Sequence, residues 1–434
     1  MIWNSKYESM ERDRMDQVQL ERLQATLNRV ERNVAFYRQS LKTQGIGSAS
    51  IKDLSDLGRL PFTTKDDLRT CYPYDLFAVP LRDIVRIQST SGTTVTPVVV
   101  GYTHNDLRTW SECVARVLAA GGMTEHDVIQ VAFTYGLFSG GFGLHAGAER
   151  IGASVIPAST GSLEKQVRIM KDFKTTALAC TPSYAFAIAS AVEEMGMAGG
   201  ELTLRMGYFG AEPWSEGLRS LLEQRLGIIA LDNYGLTEVL GPGVSFECEQ
   251  KAGLHVNEDC FVIEVIDPQT EEVLPEGAEG EIVLTTITKE GFPMIRYRTG
   301  DLGSITRQPC ACGRTLARMS RIRGRLDDMI ILGATKVFPS QIEEIVTAEK
   351  TLAPYFQVLL DRRDGIDIMT VVVEPAEARN GLAHAASHGN PCERVARRIE
   401  GVLGVGARVE MARSGSLPRA GEGKLQRVVD KRRI

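Results

Sequence analysis

The chain of 434 residues is short of several things, and each shortage removes a class of function. It has no basic excess: 50 Lys plus Arg stand against 55 Asp plus Glu, a net charge of −5, so the charge balance points to no nucleic-acid partner. Cysteine is sparse, and eight in this length is not the density of a disulfide scaffold. No long apolar run occurs. The longest, around residues 178–192, is interrupted by Thr181, Pro182 and Ser183 and falls short of the roughly 18 unbroken apolar residues of a membrane span. Residues 1–14 are charged and lack the apolar centre of a signal peptide. A cytoplasmic enzyme without membrane contact is the expectation. Low-complexity tracts and internal repeats are also missing. What is present in excess is glycine, 42 residues or about 10% against a usual level of about 7%. Such an excess implies tight turns and close approach of backbone to a ligand.

At roughly 100–200 residues per domain, the length suggests two to four folding units. Residues 9–43 place Leu20, Leu23, Leu27 and Val30 at helical spacing among charges, which predicts an amphipathic helix. From about residue 84, short β-rich runs (128–133, 154–157, 177–179, 207–209, 228–231) alternate with helical segments (103–120, 163–173, 183–195, 215–226). This alternation predicts an α/β fold with parallel strands covered by helices. After Gly241, strands at 260–266, 280–286 and 301–306 suggest a smaller antiparallel subdomain over about 241–320. An α+β pattern restarts beyond a polar, charge-dense boundary near 325–328.

Ser89-Thr90-Ser91-Gly92-Thr93-Thr94 follows a predicted strand and sets five hydroxyls around one glycine. Such a loop wraps an oligophosphate with O–H and N–H donors, or is an ordinary Ser/Thr surface turn; composition leaves both open. It is not a Walker A loop, because no Gly-Lys-Ser/Thr follows. Gly141-x-Gly143-x-x-Ala146 fits a dinucleotide fingerprint only nominally, since the strand ending at Pro157 supplies no acidic residue for a ribose. Phe133, Tyr135, Phe138 and Phe142 place four aromatics in ten residues, in a chain that is 6% aromatic. With Gly136, Gly140, Gly141 and Gly143 between them, they form either a slot for a flat apolar acyl group or a core strand and turn. The glycines favour the slot, because packed cores seldom leave so many side-chain positions empty.

Five segments in order carry a resemblance: STSGTTVTP (89–97), YGLTE (234–238), YRTGD (297–301), GRLDD (324–328) and PRAGEGK (418–424). They resemble the core motifs of the acyl-adenylate-forming superfamily, which includes acyl-CoA synthetases, luciferase and peptide-synthetase adenylation domains. More narrowly, FTYGLFSGGFGLH (133–145), FGAEPW (209–214), YGLTEVLGPGV (234–244) and VFPSQIEEI (337–345) resemble the phenylacetate–coenzyme A ligase family. The resemblance implies an ATP- and CoA-dependent aryl acid ligase, phenylacetate leading, that works through acyl-AMP, and a homodimer. It implies a large N-terminal domain, 1–326, and a small mobile C-terminal domain, 327–434. Transfer to another acceptor, or an impaired nucleotide-binding protein, are the competing readings. The second is motivated by Val95-Thr96, which stand where the family's phosphate loop usually has Gly-Lys.

By the same resemblance, Ser89, Ser91, Gly92, Thr93 and Thr94 would hold the phosphates, Thr237 the α-phosphate and Glu238 a Mg²⁺ ion. Gly210, Ala211, Glu212 and Pro213 would line the adenine slot, with Tyr234 stacked on the purine between Asn233 and Gly235. Asp301 would accept the ribose hydroxyls and Arg325 would reach them. Asp327 would be the hinge, and Lys424 would bridge the attacking carboxylate and the α-phosphate. The acid would lie on Phe133, Tyr135, Phe138, Gly140 and Phe142.

A second chemistry is in the cysteines. Cys248 and His255, with Cys310 and Cys312 about 55 residues on, make a Cys₃His set, the last two in a Pro309/Gly313 turn. In a reducing compartment such a set reads as a structural Zn²⁺ site or as unlinked thiols. The zinc reading is the expectation, with no catalytic role. Cys71, Cys113, Cys180, Cys260 and Cys392 read as ordinary reduced cysteines.

Overall fold

The computed structural model describes residues 1–90, 96–197, 199–333, 335–363, 366–376, 390–419 and 426–432. Of the candidate site residues, Ser91, Gly92, Thr93, Thr94 and Lys424 lie outside them, as does Val95. Contacts divide the chain into two units. The first comprises Met1–Thr181, Gly200–Ala211 and Ile228–Arg321, and the second Pro182–Gly199, Glu212–Gly227 and Ile322–Ile434.

The amphipathic pattern at the start of the first unit forms two helices, Arg12–Asn33 and Ala35–Thr43. Val34 between them is extended, at φ −114 and ψ 112, while its side chain stays buried. Hydrophobic spacing continues across such a one-residue break, so periodicity alone reads one helix there. The buried stripe is Met15, Gln19, Leu23, Leu27 and Val30. Gln19 is tolerated inside because its amide donates to the carbonyls of Glu258 and Phe261, both at 2.9 Å.

Strands β1 (Arg86–Ser89) and β2 (Val99–Tyr102) form a hairpin. Among the described residues the main sheet has nine strands. β3 (Val128–Val131), β4 (Ser154–Ile156), β5 (Ala177–Cys180), β6 (Met206–Gly210) and the start of β7 (Ile229–Leu236) are parallel, in spatial order 4-3-5-6-7. β8 (Gly241–Glu247), β9 (Leu254–Val256), β14 (Arg318–Met319) and β13 (Ile305–Thr306) continue it antiparallel. The β-rich stretch after Gly241 therefore divides. Part of it extends the main sheet, while β10 (Phe261–Ile266), β11 (Gly280–Thr286) and β12 (Tyr297–Gly303) pair separately as an antiparallel sheet. β7, between β6 and β8, is the strand at which pairing changes from parallel to antiparallel.

The second unit has a sheet built on the antiparallel pair Leu352–Arg363 and Ile366–Pro375, with Arg408–Met411 and Val428–Asp430 added in parallel. Val358, Val371, Val373, Ile342, Val346 and Ile399 are among the side chains closing its core. Helices Pro182–Glu194 and Glu216–Leu226 belong to the same unit. No helix among the described residues is long and apolar enough to cross a membrane.

Candidate active site and metal centre

The end of β7 is shaped by a steric demand. At Gly235 a β-carbon would meet the Gly241 carbonyl oxygen at 1.9 Å, so only glycine lets β7 turn back against β8. That turn carries Thr237 and Glu238, both nearly buried. The Thr237 hydroxyl lies 2.9 Å from that of Ser139, the residue before the helix Gly140–Ile151. Ser89 donates its N–H to the Leu137 carbonyl at 2.9 Å, and Gln88 reaches the Phe138 carbonyl. Three sequence-distant pieces thus meet: the end of β1 leading into the hydroxyl loop, the aromatic loop, and the YGLTE turn.

Tyr234 donates its hydroxyl to the Asp301 carboxylate at 2.6 Å, joining YGLTE to YRTGD. Asp301 is buried and its backbone N–H bonds Thr299 Oγ1, which fixes the carboxylate at the end of β12. Asn233 holds β7 against β6 by donating to the Phe209 carbonyl at 2.8 Å. Gly210 sits opposite Asn233, where a β-carbon would approach the Asn233 carbonyl oxygen to 2.3 Å. The next residue, Ala211, is left-handed at φ 70, a strained state for a residue with a β-carbon. Glu212 and Pro213 fall in the second unit, where the Glu212 carboxylate accepts from the Ser183 N–H at 2.6 Å. Burial pushes the Glu212 pKa up, against the nearby Arg427 guanidinium and the Ser183 hydrogen bonds. Arg325 and Asp327 also lie in the second unit; Asp327 is exposed in a short 3₁₀ turn, Leu326–Asp328.

The aromatic candidates lie close together. Phe133 and Phe138 have ring centroids 6.5 Å apart, and Tyr135 stands edge-on to Phe142 at 5.3 Å. The Arg86 guanidinium covers Phe142 at 5.0 Å. Tyr135 is fixed by a relay: its hydroxyl lies 3.2 Å from His145 Nδ1, whose Nε2 lies 3.1 Å from Glu149. The glycines correct the expectation of empty positions. At Gly136 a β-carbon would meet nothing within 4 Å, but at Gly140 it would strike the Phe138 ring at 2.5 Å, and at Gly143 the Trp110 ring at 2.6 Å. Gly141 and Gly143 are inside the helix Gly140–Ile151, and Gly143 lets that helix pack on His104–Ala120. Their missing side chains are filled by neighbours.

Lys289 is buried within the electrostatic reach of Asp106 and Glu238, and no motif marks it. It is 3% exposed, its Nζ has no hydrogen-bond partner among the described residues, and it lies 4.8 Å above the Tyr102 ring and 5.2 Å from that of Phe292. Burial pushes its pKa from the ordinary 10.5 down to about 7, against the attraction of Asp106 and Glu238. Between those values the unfolded chain binds more protons, so this lysine makes stability rise with pH across that window. Lys289→Met should stabilise the protein by a few kcal/mol at pH 6.5, and the advantage should vanish towards pH 10.5. Urea midpoints of both proteins at the two pH values check this. A pH-independent difference would overturn it.

The Cys₃His set comes together through the sheet. β14 pairs with β9 so that Arg318 stands opposite His255, which brings the 310–312 turn over the imidazole. One ligand atom from each of Cys248, His255, Cys310 and Cys312 lies within 4.8 Å of the others. Cys248 and Cys310 sulfurs are 3.9 Å apart, and Cys312 Sγ is 3.4 Å from His255 Nε2. Tetrahedral zinc requires separations of about 3.8 and 3.5 Å for these pairs, from bond lengths of about 2.3 and 2.05 Å. Burial, then the charges of Arg314 and Arg318, push His255 down to about 3, which keeps it neutral and ready to ligate. Burial pushes the Cys248 thiol up to about 12, whereas at Cys312 burial is outweighed by hydrogen bonding from Arg314, and its pKa falls. The donor set fits zinc. All eight cysteines are free of disulfides.

The geometry is matched by kinship. Residues 15–288 match the model of the AMP-binding enzyme family, and 334–432 that of the AMP-binding enzyme C-terminal domain. Phenylacetate-coenzyme A ligase of Thermus thermophilus is 42% identical over all of both chains. That of Escherichia coli is 44% identical over all of this chain and 99% of its own. A crystal structure of 2-hydroxyisobutyryl-CoA ligase, with an acyl adenylate in the postadenylation state, superposes with a TM-score of 0.92 at 28% identity, covering all of this chain and 93% of that one. The chain belongs to the phenylacetate–coenzyme A ligase family, the AMP-forming acid–CoA ligases that share the adenylate-forming fold.

Proposed function

We propose that the acid activated is an arylacetate, phenylacetate first, and that the acceptor is the thiol of free CoA. The observation that carries the reading is the Tyr234–Asp301 bond at 2.6 Å, which joins the YGLTE segment of the main sheet to the YRTGD segment of the separate antiparallel sheet. Two full-length relatives bearing the phenylacetate–CoA ligase name support the choice of acid.

In the first half-reaction an oxygen of the acid attacks the α-phosphorus of ATP, the bond to the β-phosphate breaks, and pyrophosphate leaves. Attack of an anion on a polyanion needs donors and cations rather than covalent help. Thr237 donates to the α-phosphate, and Ser89 with the hydroxyl loop donates to the β- and γ-phosphates. Asp301 accepts from the ribose hydroxyls, and Tyr234, held by its bond to Asp301, stacks on the purine. Gly210, Ala211, Asn233 and Gly235 shape the adenine edge by letting backbone approach, with Glu212 and Pro213 following in the same loop. Glu238, a buried carboxylate, would hold the Mg²⁺ that accompanies ATP, which would supply positive charge to the leaving group. Phe133, Tyr135, Phe138, Gly140 and Phe142 hold the aryl ring. In the second half the CoA sulfur attacks the acyl carbon and AMP leaves, with 327–434 as the moving domain, 1–326 as the fixed one and Asp327 between them. Cys248, His255, Cys310 and Cys312 hold a structural zinc closed to substrate. A homodimer in the cytoplasm, where thiols stay reduced, completes the reading.

Acid-dependent ATP–pyrophosphate exchange across aryl and short aliphatic acids tests it. Phenylacetate should give the fastest exchange, and AMP release should require CoA. Exchange with no CoA-dependent AMP release would identify another acceptor. No exchange with any acid would favour the impaired nucleotide-binding protein that Val95-Thr96 suggests.

A further inference from the structure

We propose that Glu8 and Arg314 form an outer shell of the metal centre, so that metal loading and docking of residues 1–10 are one coupled equilibrium. The inference rests on the zinc reading above. Arg314 follows Cys312 by two residues, and its side chain and that of Glu8 are sealed from solvent, at 1% and 0% exposure. Its Nε donates to Glu8 Oε2 at 2.6 Å, and its Nη2 donates to the Met1 carbonyl at 2.6 Å. The other Glu8 oxygen accepts the N–H groups of Trp3 at 2.9 Å and Asn4 at 2.6 Å. The backbone joins in: Thr315 N–H donates to the Glu8 carbonyl at 3.0 Å, and the Thr315 hydroxyl to that of Met10 at 2.6 Å. The N-terminal arm is thus fastened to the two residues that end the cysteine turn.

The Arg314 guanidinium also lies 5.5 Å over the Phe246 ring, whose centroid is 5.8 Å from that of the His255 ring, which sets its charge near the cluster. One divalent ion with three thiolates leaves a single negative charge, and this guanidinium lies near it. Groups bonded to a ligand orient it and tune the metal, and their loss typically costs 10–100-fold in affinity. Glu8 holds Arg314 in place, so it is a positioning residue for the centre. Linkage makes the coupling reciprocal: whatever the docked arm adds to metal affinity, the bound metal adds to docking.

The test uses the full chain, loaded with zinc and stripped by chelator. Competition with a chromophoric chelator measures zinc affinity, and hydrogen exchange measures the opening of residues 1–10. Glu8→Gln should weaken zinc binding about tenfold or more. Stripping the wild type should speed exchange in residues 1–10 by a similar factor. Wild-type affinity in Glu8→Gln, or unchanged protection of the arm on stripping, would overturn the coupling while leaving the zinc reading intact. Wild-type protein that takes up no zinc would overturn both. Should the Glu8 variant not fold, the exchange measurement on the wild type alone decides whether the coupling stands.

Discussion

Lys424→Ala is expected to lower acid-dependent ATP–pyrophosphate exchange by about a hundred- to a thousandfold, the loss seen when one donor to developing charge is removed. Thioester formation from supplied acyl-AMP should survive. The asymmetry follows from where the charge develops. In the first half-reaction a carboxylate approaches the α-phosphate, and an ammonium on a flexible stem stabilises the two together only near the transition state. In the second half no such anion pair forms. The chain just beyond is well anchored: Arg427 pairs with the buried Glu343 at 2.6 Å, its guanidinium lies 4.5 Å over the Phe356 ring, and Val428–Asp430 pairs in parallel with Leu352–Arg363. An alanine at 424 therefore removes a charge three residues before this anchored stretch. Equal loss in both half-reactions, or none in the first, would sink the assignment.

Gly235→Ala is the second large effect. The added β-carbon would lie 1.9 Å from the Gly241 oxygen, 2.7 Å from its carbonyl carbon and 2.8 Å from Pro242 Cα. All three are backbone atoms, so nothing flexible can yield. The turn must open, at about 3 kcal/mol or more in stability, and Thr237 and Glu238 move with it. Adenylation should fall at least tenfold even where the protein is still folded. Gly136→Ala is the control, because its β-carbon would meet nothing within 4 Å and its stability should stay within about 0.5 kcal/mol of wild type. Urea denaturation of the two variants decides the matter, and equal midpoints would refute the steric account.

The contrast between these glycines shows how far the sequence is legible. Helix limits were readable to within a residue or two where a cap or a proline marks them. Ser215 accepts from the Leu218 N–H at the start of Glu216–Leu226, and Pro182 opens Pro182–Glu194. The break at Val34 was not readable, because one extended residue leaves the hydrophobic spacing intact. Excess glycine was read as close approach of backbone to a ligand, and at several of these glycines the close neighbour is protein instead: at Gly143 the Trp110 ring, at Gly235 and Gly210 another stretch of backbone. Lys289 and Asp106 carry no motif at all. Asp106 caps its own helix at Thr103 and also accepts the N–H groups of Glu290 and Gly291, more than 180 residues on.

By itself the sequence determined the α/β alternation, the order of the motifs and the chemistry they imply, since propensity, periodicity and short spacings are local. It also supplied both halves of the Cys₃His set. Only the tertiary structure decided that β9 pairs with β14 and closes that set, that Tyr234 meets Asp301, and that Lys289 is buried near Glu238. Those meetings depend on which surfaces are buried together across the whole sheet, and no local stretch of chain carries that information.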